Sequence, residues 1–232
     1  MIASINQPAY LPWLGYFHRI AVSDVHIVLD HVQFEKNSFT NRNKIRTKDG
    51  WQWLTVPVKT KGRFGNLSIQ GLEINGTAKW EKKHWNAIQL HYGRTSYFGQ
   101  HAAFFEDLYC RHWIKINDLI RESTRYLLEV LGIRTRLLFS SKMRMEGKKN
   151  DLLLNICRAV EATHYLSGPL GRDYLNAELF EERGIHLTYH DYKHPIYPQA
   201  YPGFESRMSV VDLLFNCGPE SFDVLMRNQE KT

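Results

Sequence analysis

The chain has no apolar run near the roughly 20 residues that a membrane-spanning helix needs, so no spanning segment is expected. Its start lacks the basic head, apolar body and small-residue cleavage site of a secretory signal. Cysteine is scarce: Cys110, Cys157 and Cys217 leave at least one thiol unpaired, and none stands in a Cys-x-x-Cys pair. A reducing, cytoplasmic setting follows as the expectation. The histidines include no His-Glu-x-x-His and no cysteine–histidine ligand spacing, so no metal site is expected. Missing too are a Gly-x-Ser-x-Gly elbow, a Walker A loop and a dinucleotide glycine fingerprint, which argues against standard hydrolase, P-loop and NAD sites. The net charge of +6 comes without a polybasic run, and only "KTKGR" and "EGKK" are short basic clusters. That distribution suits a phosphate-bearing small ligand better than nucleic acid.

What remains is a chain of 232 residues, 43% hydrophobic, long enough to bury a core without disulfides or a structural metal. "MIASIN" and "DVHIVLD" read as strands, and between them Phe17, Ile20 and Ala21 repeat at helical spacing. This strand–helix–strand unit predicts an α/β fold with a Rossmann-like, mostly parallel sheet. "WQWLTVPV" is a third strand candidate, and "GRFGNLSIQGLEING" a loop or small hairpin. Residues 79–133 turn helical, with Gly132 as a stop, whereas 1–78 and 134–232 form the α/β core of one domain. Asp151 is expected to open a helix, and Ser209 with Asp212 to cap the last one.

Candidate site residues cluster at the strand ends. In "QPAYLPWLG", Pro8 and Pro12 stiffen a connection at the edge where α/β sheets bind ligands. There Tyr10 and Trp13 offer flat rings for a sugar or base, Gln7 an amide to orient hydroxyls, and Gly15 room. After the second strand come Asp30, His31, Gln33, Lys36, Asn41, Arg42, Asn43 and Lys44, the densest polar run in the chain. Its cations and amides suit a diphosphate with its ribose or sugar, Arg42 foremost. Asp30 or His31 is placed to take a proton from an amine. Further candidates are His84 at a helix start, Ser140, Ser141 and Lys142 in "FSSK", and Ser167, Gly168, Arg172 and Tyr174 around a second glycine turn.

Six stretches carry a family resemblance: "QPAYLPWLGYF", "DHVQFEKNSFTNRNKIRT", "WQWLTVPVKTKG", "KHW", "YLSGPLGRDYL" and "SVVDLLFNCGPES". Together, and in this order, they resemble the WbqC-like family. The resemblance implies a bacterial cytoplasmic protein encoded among enzymes of O-antigen and other surface-polysaccharide synthesis. It also implies transfer of an acyl or aminoacyl group, such as glycine, to the amine of a nucleotide-linked amino sugar. The family usually has His before the Gln-Pro pair, where this chain has Asn6. The opening is similar, more distantly, to HIGH-type nucleotidyltransferases and pantothenate synthetases, with Gly15 and His18 displaced from the usual Gly-His spacing. That likeness implies ATP, with magnesium, and adenylate formation at Gly15, His18 and Ser140 to Lys142. Three readings stay open: a transferase using an acyl donor, an ATP-dependent adenylate-forming enzyme, and a non-catalytic scaffold for a glycan or sugar nucleotide. A homodimer or an association with enzymes of the same pathway would fit each.

Overall fold

The computed structural model describes residues 1–62, 65 and 67–227. The chain opens with strand β1 (Ile2–Asn6), helix α1 (Leu14–Ala21) and strand β2 (Val25–Val28). A hairpin of β3 (Arg42–Thr47) and β4 (Gly50–Thr55) follows, then helices α2 (Trp80–Tyr92), α3 (Phe98–Cys110) and α4 (Ile116–Val130). Next come β5 (Arg136–Phe139), the short α5 (Ser140–Met143), α6 (Lys149–Ala159) and β6 (His164–Ser167). The described chain closes with α7 (Ala177–Glu181), β7 (His186–Tyr189), α8 (Val210–Cys217) and α9 (Ser221–Met226).

Five strands form one sheet in the order β5-β2-β1-β6-β7, every neighbouring pair parallel. The fold is therefore mixed α/β and Rossmann-like. The chain winds outward from β1 through β2 to β5, then restarts on the other side at β6. That reversal places a switch point, where open sheets form a crevice, between the carboxyl ends of β1 and β6.

Alternation along the strands divides the interior in two. Ala3, Ile5, Val25 and Ile27 face a core shared with Leu153, Ile156 and Phe180 of α6 and α7. The other face carries Ser4 and His26, and there Phe17 and Ile20 of α1 join Ile45, Leu54, Phe105 and Leu127 from the hairpin and the central helices. α4 stops as expected: Gly132 has φ +69°, the Ile133 N–H donates to the Leu128 carbonyl at 2.9 Å, and the Gly132 N–H to that of Glu129 at 3.0 Å.

The structure changes or sharpens the sequence reading in four places. Arg42, Asn43 and Lys44 of the polar run lie on a strand; "RNKIRT" offers one apolar residue, and its pairing with β4 supplies the order that hydrophobic alternation does not show. The glycine-rich stretch is partly described: Ser68 bridges to Gln33 and a 3-10 turn spans Ile69–Gly71, whereas residues 63, 64 and 66 lie outside the described residues. α6 begins before Asp151, which sits in its first turn. Ser209 does cap α8, but Asp212 does not; its Oδ2 accepts from Tyr197 Oη and Gln199 Nε2, both at 2.8 Å.

The proline-bracketed connection is held from below. Tyr10 is fully buried, and its hydroxyl meets His84 Nδ1 at 2.9 Å and the Tyr109 hydroxyl, tying the loop to α2 and α3. The Val210 N–H donates to the Pro12 carbonyl at 2.8 Å. Tyr10→Phe leaves those two partners without their shared hydroxyl and is expected to cost about 1–3 kcal/mol, read as a lower urea midpoint with unchanged slope. An unchanged midpoint would show that the network holds nothing.

Candidate functional site

Asp30 follows β2 and is fully buried, yet its carboxyl is saturated with donors. Oδ1 accepts from the Ser140 hydroxyl at 3.1 Å and the Ser141 N–H at 2.9 Å. Oδ2 accepts from the Ser141 hydroxyl at 2.8 Å and Asn117 Nδ2 at 3.1 Å. Ser140 Oγ also accepts from the Asp30 N–H at 3.0 Å and lies 2.6 Å from His31 Nδ1. A serine has one hydrogen to give. With it committed to Asp30, His31 Nδ1 is the donor in its bond to Ser140, so that in the neutral ring Nε2 is the nitrogen with the lone pair. The parallel pairing of β2 with β5 makes this chain possible, because it sets Val28 beside Phe139 and so brings the two strand exits together.

Beside this cluster lies a cavity of about 210 Å³ lined by Pro8, Tyr16, Val28, Asn117, Arg121 and Phe139 among others. Its wall is mostly apolar, and the Arg121 guanidinium lies 4.3 Å over the Phe139 ring. Gln7 sits at the end of β1, half-buried, its amide without a hydrogen-bond partner among the described residues. Asn6 pairs with Val28 across the same edge. Lys142 is exposed on α5.

The second grouping is the β3–β4 hairpin. A cleft of about 180 Å³ there is lined by Phe34, Lys36, Asn37, Asn41, Arg42 and Thr55, among others. Arg42 stacks 4.4 Å over Trp53, gives one Nη to the Asn37 carbonyl, and keeps a buried Nε with no partner among the described residues. Lys44 Nζ lies 3.7 Å over the Trp51 ring. The rings form a stripe: Trp13 is 5.0 Å from Phe39, Phe39 5.9 Å from Trp53, and Trp53 5.7 Å from Trp51. Phe39 and Trp51 are each 42% exposed, so the stripe presents aromatic faces to solvent.

A third grouping stands at the end of β6. Ser167 is buried, Gly168 half-buried, and Arg172 lies 4.8 Å over the Tyr189 ring with Tyr174 exposed nearby in sequence.

Several candidates support rather than line a surface. Tyr10 and His84 face each other inside the core. Asn41 and Asn43 donate to the Val56 and Leu11 carbonyls, and Gln33 to that of Phe34. Gly15 is buried, and a side chain there would meet the Tyr192 ring at 3.0 Å, so the room it leaves is filled by that ring. His18 faces His190, Nδ1 to Nε2 at 2.7 Å, and burial pushes its imidazole down to about 4. The sequence reading missed Asn117, hidden in an amphipathic helix, and Arg19, which is buried on α1. It also missed the pairing of Trp51 and Trp53 with the cations opposite, although their two-residue spacing puts both on one strand face.

A protein of Mycobacterium tuberculosis (strain ATCC 25618 / H37Rv), named Uncharacterized protein Rv1507c, is 38% identical over 224 residues, 96% of each chain. No solved structure matches. Among the described residues no helix is long and apolar enough to cross a membrane. Residues 7–224 match the WbqC-like protein family, from the Gln-Pro pair to α9, and the chain belongs to that family.

Proposed function

We propose that this chain is a cytoplasmic enzyme of bacterial surface-polysaccharide (O-antigen) synthesis. It transfers an acyl or aminoacyl group, such as glycine, to the amine of a nucleotide-linked amino sugar. The observation that carries the reading is the chain from Asp30 through Ser140 to His31, which leaves His31 Nε2 as a base at the sheet edge. Asp30 has no oxygen to spare and acts as a positioning residue. The sugar amine attacks the carbonyl carbon of an activated acyl donor; a C–N bond forms, Nε2 takes the amine proton, and the bond from the acyl carbon to the donor's leaving group breaks, its electron pair departing with that group.

The hairpin fits the other end of such an acceptor. Arg42 and Lys36 in the same cleft, with Lys44 beside it on β3, suit a diphosphate. The stripe from Trp13 to Trp51 offers faces for sugar or base. The segment from Asp30 to Asn37 touches both clefts, through Asn117 on one side and Phe34 on the other. Ser167, Gly168, Arg172 and Tyr174 form a second edge for the donor.

Calorimetric titration with nucleoside-diphosphate amino sugars tests the acceptor, followed by mass spectrometry of products with activated acyl donors. Binding is expected to weaken about tenfold or more in Trp51→Ala, because one stacking face is worth on the order of 1 kcal/mol or more beyond contact area. Binding without turnover for any donor would leave a scaffold. Absence of binding to any amino-sugar nucleotide would remove the acceptor class altogether.

A further inference from the structure

Arg19 is the least explained charge in the molecule. It stands on α1, is 5% exposed, and its guanidinium makes no hydrogen bond or ion pair with any described residue. Taking a cation out of water without a partner costs several kcal/mol, so such groups are retained where something else pairs with them. The ionisable groups that interact with it are phenols, Tyr165 on β6, Tyr16 on its own helix and Tyr174 beyond β6, all kept neutral because burial pushes them up, and no carboxylate is among them. His26 and His190 also feel its charge, and burial holds both imidazoles far below their usual range, so both are neutral and neither offers Arg19 a counter-charge. Arg19 Nε, His26 Nε2 and His18 Nε2 are three buried nitrogens of this region with no partner among the described residues.

The position of the guanidinium tip completes the case. A methyl group added to Gly168 would overlap Arg19 Nη1. Gly168 is half-buried and follows β6 directly, so the tip lies at the carboxyl end of β6, beside β1, under a residue that has no side chain to cover it. This is the switch point of the sheet.

We propose that Arg19 anchors an oxyanion of a small ligand, a phosphate or a carboxylate, in the crevice between the carboxyl ends of β1 and β6. The planar fork of the guanidinium matches either group with two parallel N–H···O bonds. The site is distinct from the hairpin cleft at Arg42 and stands whether or not the chain is a transferase.

The test is thermal unfolding and titration of the whole chain with inorganic phosphate, pyrophosphate and glycine, each against chloride at equal ionic strength. Phosphate or pyrophosphate alone raising the melting point identifies a phosphate site; glycine alone identifies a carboxylate site. The rise expected at saturation is about 5 °C or more. Arg19→Met is expected to melt no lower than the wild type without ligand, and to lose a binding event that Arg42→Ala retains. Gly168→Ala, which keeps the charge but pushes the tip aside, is expected to weaken the same event at least about tenfold. Wild-type protein indifferent to all three probes overturns the proposal. So does Arg19→Met that melts well below wild type while binding the probes unchanged, which would make Arg19 a packing residue. Loss of binding in Arg42→Ala alone would assign the anion to the hairpin and overturn it equally.

Discussion

His31→Ala is expected to lower kcat/KM for acyl transfer by about 10²–10⁴-fold, the usual contribution of a positioned base. The affinity for the sugar nucleotide should stay near that of the wild type, because the phosphate and ring contacts lie on the hairpin. Ser140→Ala should lower kcat by about 10- to 100-fold with KM kept, since it removes the link that fixes the His31 tautomer, together with the two bonds that hold Asp30 to the same hydroxyl. Ser140→Thr keeps the hydroxyl and should recover most of that loss. Asp30→Ala is a harsher change. It leaves the Ser141 N–H and Asn117 Nδ2 without their acceptor in a buried place, so about 3 kcal/mol of stability goes with the activity. Asp30→Asn is the milder companion for kinetics. Full activity in both the Asp30 and His31 variants would eliminate proton transfer by this pair.

Acid should unfold the protein early. Burial pushes the imidazole of His26 down to about 3, the Arg19 charge adding to it, and that of His84 down to about 4. Both are neutral when folded and regain their ordinary value of 6.5 when the chain opens. Between pH 6.5 and the folded values, the unfolded chain therefore binds more protons than the folded one. Stability is full above about pH 7 and falls as the pH drops through 6.5 toward 4. At pH 5 each of these two rings should have cost about 2 kcal/mol. His18 and His190, also pushed down, to about 4 and about 3, act in the same direction. Against a total of roughly 5–15 kcal/mol, this is a large share. A melting point about 10 °C lower at pH 5 than at pH 7.5 is the expected reading. His84→Gln, which keeps an acceptor near Tyr10 but does not titrate, should flatten the profile. A melting point flat across that interval would mean that these rings are hydrated.

The particular successes and failures of sequence reading have physical causes. β1, α1 and β2 were legible because apolar spacing reports directly on which face a core covers. The polar run from Asp30 to Lys44 was legible as chemistry but not as geometry. Its Asp30 turns inward to Ser140, a partner 110 positions away, and its Arg42 and Lys44 lie on a strand whose order comes from Trp51 and Trp53. Tyr10 and His84 are bonded to each other in the core, a burial that is not legible in the sequence because buried rings and surface rings read alike there. Arg19 gave no signal at all, because a basic residue on an eight-residue helix is expected to face water.

By itself the sequence determined the class of fold and the family. Those follow from local patterns: periodicity, turn residues and ordered motifs. Only the tertiary structure decided which polar groups meet. The parallel register of β2 with β5 builds the Asp30–Ser140–His31 chain, and the crossing of α1 toward β6 leaves Arg19 beneath Gly168. Such pairings depend on strand order and helix placement, which no stretch of neighbouring residues encodes alone.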